Sequence, residues 1–421
     1  MITLEPVPPA LGRLGSGVRA FRHAGYRSVF AATLSRGMQV WMLFVGMPLV
    51  VIRLGGGPVE IGLVGGLFLL PVAFIAPVGG VIGDRVDRRR ALMAMAVFGA
   101  AHGAVLAGLV FANAMTIPLL AGFSLIYGIM NAAEIPIRLA FVAEVVPKAD
   151  LPNGVVLAQT ALTTTRIIGP ALAGIVTATL GLVPLFMLIA VLGVVTAVSM
   201  FTVRRFATEP TPVEPAVSVR RALAVGLRYG LATPSVRGPL WLLGTTSIFG
   251  LSFQTILPIY AIDRLGLDGS QFGAMLAVMG IGAIMSAGPM AFIRPEHARR
   301  VMVVSAMVVA GSVAALALTE IVPVAFGLAM IAGSAASVTL GSVTVAIQDV
   351  VPGHLRSRVL GLQAALFQGG LGLGGVVMGF ATDRVGVELT MLVGAVIVGS
   401  VAVATAWVWR RSPVARFATG T

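Results

Sequence analysis

The run Asn131-Ala-Ala-Glu134-Ile-Pro136-Ile-Arg138 puts a carboxylate and a guanidinium inside an otherwise apolar stretch. Charges there are strongly disfavoured in a bilayer, so they face protein or water and mark ion pairs, proton relays or substrate paths. Glu134 is the one carboxylate well inside such a stretch, and Asn131, Glu134 and Arg138, at i, i+3 and i+7, share one helix face. Arg36 and Arg166 are the two other arginines so placed. A glutamate among guanidinium groups can carry a proton whose uptake Arg138 and Arg36 tune, hold a permanent ion pair, or touch substrate directly. With all four groups ionised these interiors sum to +2, which favours anionic, zwitterionic or neutral ligands over lipophilic cations.

Other polar groups recur at helical spacing. Gln159, Thr163 and Arg166 lie on one face, and Gln363 repeats the first of them in the second half of the chain, with Phe367 one turn on. Phe253 and Gln254 precede Pro258, and Gln39 follows Arg36 by three positions. With Asn131, these are the candidates to line a cavity that orients an amphipathic ligand. Interhelical hydrogen bonding is the structural alternative for the glutamines.

Enzyme and metal chemistry find little support. Cysteine is absent, which removes disulfides, thiolate metal sites and a thiol nucleophile. His23, His102, His297 and His354 show no metal-ligand spacing. The single lysine, Lys148, cannot complete a phosphate-binding loop. Neither Asp84/Asp87 nor Asp263/Asp268 makes the paired acidic cluster that a membrane-embedded metal-dependent transferase needs. No cofactor and no metal are expected.

These residues must be positioned by membrane helices. Of 421 residues, 57% are hydrophobic and 11% charged, against about 25% charged in soluble domains. The apolar total fills roughly twelve spans of ~20 residues. Six fall at Val29–Ile52, Ile61–Ile82, Ala91–Phe111, Ile117–Leu139, Val155–Leu180 and Val183–Val203. Six more fall at Leu240–Ile262, Phe272–Ile293, Val301–Leu318, Val322–Ile347, Val359–Ala381 and Leu389–Val408. Outside them, 23 Lys and Arg lie on the side of the N-terminus and three on the other, which places both termini in the cytoplasm. The net charge of +13 therefore sits in loops that meet anionic lipid, not nucleic acid. The polar, proline-rich first residues carry no cleavable signal.

The halves repeat. Glu144-Val-Val-Pro147 recurs as Asp349-Val-Val-Pro352 at an offset of 205, and Arg88-Arg89 recurs as Arg299-Arg300 at 211. The expected organisation is a segment 1–28, a six-helix half 29–203, a linker 204–237, a second half 238–409 and a tail 410–421. Within the linker, Val219, Leu223, Leu227 and Leu231 have the spacing of an amphipathic helix, either on the inner leaflet or as an ordinary surface helix. Such repeats hold substrate between them near the midplane.

The second span ends Gly79-Gly80-Val-Ile-Gly-Asp84-Arg85-Val-Asp87-Arg88-Arg89-Arg90. This resembles the GxxxDRxxRR signature of the major facilitator superfamily, in its expected loop. Pro58-Val-Glu-Ile-Gly62, Arg166-Ile-Ile-Gly169-Pro170 and Val351-Pro-Gly-His-Leu-Arg356-Ser-Arg358 look like the branch that holds macrolide and enterobactin exporters. Pro295 replaces the aspartate in the second copy of the loop, and Ser124 stands where many proton-linked members have arginine. The resemblance implies an all-α fold of two pseudo-symmetric six-helix bundles and a latch built from Gly80, Asp84, Arg85, Arg88 and Glu144. It also implies a monomeric secondary transporter of the bacterial cytoplasmic membrane, exporting an antibiotic, siderophore or other amphipathic small molecule against protons. An importer or facilitator in the same fold is the first alternative; a membrane-embedded transferase or a receptor is remote.

Overall fold

In lipid every backbone amide must be satisfied within its own segment, which leaves helices as the solution for apolar runs of this length. The structure, a computed structural model, describes residues 19–75, 86–147, 149–203, 219–290 and 293–411. Among them, twelve helices are long and apolar enough to cross a membrane. The first six are α1 (Ala24–Arg53), α2 (Pro58–Ile75), α3 (Arg88–Phe111), α4 (Ile117–Val145), α5 (Leu151–Leu180) and α6 (Leu182–Phe201). After the linker helix α7 (Val219–Ala232) come α8 (Pro234–Arg264), α9 (Gly269–Met290), α10 (Pro295–Leu318), α11 (Val322–Val350), α12 (Gly353–Val385) and α13 (Val387–Arg411). Several run past their apolar stretches; α4 passes through Pro136 and continues to Val145 rather than ending near Leu139. Helix persists there because backbone bonding does not stop where the hydrocarbon does. The Asp84 segment of the latch, with Gly80 and Arg85, lies outside the described residues.

The first half packs α1 against α5 and α6, and α3 against α6; the second packs α10 against α11 and α13, and α9 against α11. Among the described residues the halves meet mainly at two crossings, α2 on α12 and α5 on α9, with a smaller contact of α2 on α8. Both crossings use the same contact. A Cβ on Gly62 would lie 2.6 Å from the Gly375 carbonyl oxygen and 2.8 Å from Cα of Gly379. A Cβ on Gly273 would lie 2.4 Å from the Pro170 oxygen and 2.8 Å from Cα of Gly174. Gly273 follows Gly62 by 211 positions, while Gly379 follows Gly174 by 205, the offsets of the loop motifs. The sequence repeat is thus a structural pseudo-twofold, and small residues let the backbones touch. Both crossings lie toward the end of the bundle that carries the α1–α2 and α5–α6 loops.

Helix α8 combines α-helix with two π-helical stretches, Thr246–Leu251 and Tyr260–Arg264, on either side of the segment containing Pro258. The extra residue per turn rotates the side chains that follow. Phe253 turns into the bundle core while Gln254 reaches the interior space between the halves.

The linker helix does not simply float on a leaflet. Gly226 packs against the backbone of Arg358, and Gly230 against Leu240 and Leu362, so α7 is docked on α12 and α8, leaving Leu227 and Leu231 exposed.

The α8–α9 loop ends in a capping box. Asp268 accepts from the backbone N–H groups of Ser270 and Gln271, and the Gln271 side chain returns a bond to the Asp268 N–H. The Ser270 hydroxyl, followed by the Gln271 N–H, holds the Asp268 carboxyl below its ordinary value. Asp268→Ala is expected to destabilise the protein by about 1 kcal/mol, read as a lower melting temperature in detergent. Because the carboxyl is depressed in the folded state, this contribution is complete above the ordinary aspartate value of about 3.9 and fades as pH falls through the lowered one.

Candidate functional site

Two neighbouring spaces contain most of the intramembrane sequence candidates. The first is a cavity of about 430 Å³ between the halves, lined from α1, α2, α4 and α5 on one side and α8, α11 and α12 on the other. Asn131, Arg138, Gln159, Thr163 and Arg166 of the first half line it, as do Gln254 and Phe367 of the second. The residues fall near the middle of their helices, and Gln159, toward the N-terminal end of α5, is exposed. The glycine crossings close the end of the bundle that carries the α1–α2 and α5–α6 loops.

The second space is a small pocket between α1, α3, α4 and α6 around Arg36 and Glu134. Arg36 is 2% exposed, and its Nε donates to Glu134 Oε2 at 2.6 Å. Its Nη1 donates to Gln39 Oε1 at 3.1 Å and to the Tyr127 hydroxyl, and Nη2 approaches the Met130 sulfur. Gln39 Nε2 donates in turn to the Ile189 carbonyl at 2.8 Å. The pair is therefore embedded in donors and acceptors, the condition under which a desolvated ion pair is tolerated. His102 backs the cluster, with its ring 4.8 Å from that of Tyr127.

The single face expected for Asn131, Glu134 and Arg138 is divided. At 100° per residue, positions 131 and 138 differ by about 20°, whereas 134 is rotated some 40–60° from either. Asn131 and Arg138 consequently reach the central cavity while Glu134 turns into the first half. Arg138 makes no hydrogen bond or ion pair among the described residues and lines both spaces; no other residue is common to their two walls.

Three candidates for the cavity lie elsewhere. Gln39 is fully buried in the Arg36 cluster. Phe253 is buried in the core. Gln363 turns into the second half, donating to Thr344 Oγ1 at 2.6 Å, the interhelical role that was its alternative. In each case one position's rotation about the helix axis separates core from cavity, a difference set by helix packing.

The aromatic wall was not singled out from sequence. Trp41, Phe44 and Phe68 line the cavity; Arg166 lies over Trp41, with its guanidinium carbon 5.1 Å from the ring centroid. Phe68 stacks on Tyr127 at 5.6 Å and 11°, so a cavity-wall ring rests on the ring that holds Arg36. Tyr127 was legible as the position seven before Glu134, one face over two turns; Trp41 had no comparable signal. Of the latch residues described, Arg88 Nη1 bonds Glu144 Oε1 at 2.9 Å, joining the start of α3 to the end of α4. A larger groove of about 590 Å³ is lined by α9, α10 and α11 of the second half alone.

Comparison with known proteins agrees with this architecture. The chain is 23% identical over 374 residues to the multidrug efflux pump Tap of Mycolicibacterium fortuitum, covering 86% of this chain and 90% of Tap. A bacterial homologue of the human lysosomal transporter Spinster, in an inward-facing and unoccupied conformation, superposes with a TM-score of 0.74 at 14% identity over 92% of this chain and 96% of that one. The nucleoside transporter NupG superposes with a TM-score of 0.69 at 14% identity over 91% and 99%. The family profile described as transmembrane secretion effector matches residues 15–415. Twelve spans, twofold-related glycine crossings, a central cavity and a match over nearly the whole length place the chain in the transmembrane secretion effector family of the major facilitator superfamily, whose members are transporters and not enzymes.

Proposed function

We propose that this transporter is a proton-coupled exporter of amphipathic small molecules in the bacterial cytoplasmic membrane, with its termini inside, and that Glu134 carries the proton. The observation that carries this reading is the shared wall: Arg138 borders both the substrate-sized cavity and the pocket of the Arg36–Glu134 pair. Protonating Glu134 removes the negative partner of Arg36 and changes the field on Arg138, so proton occupancy reaches the substrate site through one side chain. Alternating access then separates the glycine crossings at one end and closes the other. The Arg88–Glu144 tie, with Gly80, Asp84 and Arg85, is the proposed latch at the cytoplasmic end. Export is supported by the family and by the similarity to Tap.

The test uses inside-out vesicles with an acid interior and a pH-quenched dye. Across a panel of macrolides, siderophores and organic cations, wild type is expected to recover dye fluorescence as protons leave with those compounds it transports, and Glu134→Gln to show no recovery with any of them. Substrate uptake with no proton signal, or a variant equal to wild type, makes Glu134 a structural partner of Arg36.

A second reading, cotransport of an anion with a proton, is favoured by the same shared arginine. A neutral Glu134 leaves more positive charge on Arg138 unbalanced, so proton and anion binding reinforce each other, which is the sign of cotransport. In the same vesicles a cotransporter quenches the dye further when its substrate is added.

A further inference from the structure

We infer that the central cavity contains an anion subsite formed by Arg138 and Arg166, and that its ligand is an organic carboxylate with an apolar, ring-sized body. The inference rests on the reading of this cavity as the substrate site and holds for either direction of transport.

Four observations converge on it. Arg138 on α4 and Arg166 on α5 both line the cavity, and neither has a hydrogen bond or ion pair among the described residues. Among the described residues, no aspartate or glutamate lines it. The nearby carboxylate of Glu134 is committed at 2.6 Å to Arg36, in the neighbouring pocket rather than in the cavity. Arg166 lies over the Trp41 ring with its guanidinium carbon 5.1 Å from the centroid, a cation–π contact that leaves its N–H groups to an acceptor. A half-buried guanidinium group with no carboxylate bonded to it is unfavourable in a chamber of low dielectric, and each of the two arginines is stabilised by an anion entering the cavity they share. A carboxylate offers two oxygens in the geometry a guanidinium fork matches.

The remaining wall describes the rest of the ligand. Trp41, Phe44, Phe68 and Phe367 give an aromatic lining across both halves, while Gln254 and Gln368 supply amides from the second half. A molecule with its carboxylate on the α4–α5 side and its ring against these aromatics bridges the two halves, as a ligand that drives their closure must. A lipophilic ammonium would meet two like charges and no counter-ion. Selection against cations is therefore a property of the chamber, independent of the ligand's shape.

The experiment uses the full-length protein in nanodiscs. Trp241, Trp407 and Trp409 are replaced by phenylalanine so that Trp41, in the cavity wall, is the sole tryptophan and can be excited selectively. The probes are 4-phenylbutyrate, its uncharged amide 4-phenylbutanamide and the amine 4-phenylbutylamine. The carboxylate is expected to give a saturable change in Trp41 emission with an affinity at least about tenfold above that of the amine. Arg166→Gln and Arg138→Gln should each erase most of that preference while leaving amide binding within a factor of about three. Arg166→Lys, which keeps charge but loses the flat fork, should restore part of it. Melting temperature and monodispersity show that each variant is folded, and ligand-induced thermal shifts give a second measure of binding.

Equal or tighter amine binding overturns the inference, as does a carboxylate preference that survives both arginine substitutions, or no saturable response to any probe. No gradient is involved, so these outcomes are separate from the vesicle test. Proton-linked flux of another substrate would stand while the anion subsite fell, and carboxylate binding with no proton signal would do the reverse.

Discussion

Arg36→Met is expected to destabilise the protein by about 3–5 kcal/mol, the range for removing one partner of a buried ion pair. Glu134 is 5% exposed, and its Oε2 accepts from Arg36. Without the guanidinium it must remain as an uncompensated carboxylate or take up a proton, and the Tyr127 hydroxyl and Gln39 Oε1 lose a donor at the same time. The double variant Arg36→Met/Glu134→Met is expected to recover a large part of the loss, because no charge is then left stranded; the two orphaned oxygens account for the remainder. Melting temperatures of the four proteins in detergent close a double-mutant cycle. Additive effects, with no recovery in the double variant, would show that the pair is not coupled and would remove the argument that proton occupancy of Glu134 is felt by its arginine partners.

A larger conformational effect is expected from the glycine crossings. A Cβ on Gly273 would stand 2.4 Å from the Pro170 oxygen, and one on Gly62 would stand 2.6 Å from the Gly375 oxygen. Both obstacles are backbone, so no rotamer change relieves them and the helices must part. Overpacking of this kind costs about 1–3 kcal/mol, and 1.4 kcal/mol is about tenfold in an equilibrium. The strain falls on the conformation in which these ends touch. Gly62→Ala/Gly273→Ala should therefore populate the opposite-facing state by roughly tenfold more. The chain contains no cysteine, so single-cysteine labelling needs no background removal. Leu49 is 8% exposed, with its Cδ1 3.6 Å from where a Cβ on Gly269 would lie across the interface of the halves. Leu49→Cys should react with a membrane-impermeant maleimide about tenfold faster in the glycine double variant. Unchanged labelling in a folded double variant would mean that the crossings do not govern access.

The residue pattern alone established the membrane class, the twelve spans, the twofold repeat and the inventory of intramembrane charges. Each follows from terms that are local or additive: hydropathy over a helix length, arginine counts per loop, and motif offsets. The same additive reasoning picked out Arg138, Gln159, Thr163 and Arg166, because a face with several polar groups in an apolar helix must meet something polar.

Tertiary packing decided the rest. Whether Glu134 faces Arg36 or the cavity turns on about 40–60° of helix rotation, and that rotation is set by how α1, α3 and α6 pack around α4. Gln363 and Gln254 carry the same side chain in the same half. Yet Gln363 bonds Thr344 within its bundle, while Gln254, placed by the π-helical turns of α8, reaches the cavity. The cation–π contact of Arg166 with Trp41 joins two residues more than a hundred positions apart in sequence. Hydropathy fixes that a helix spans the bilayer, but it is nearly indifferent to rotation about the helix axis. In these helices the rotation is chosen by close contacts between small residues and by the pairing of buried charge, and those interactions exist only once the helices have met.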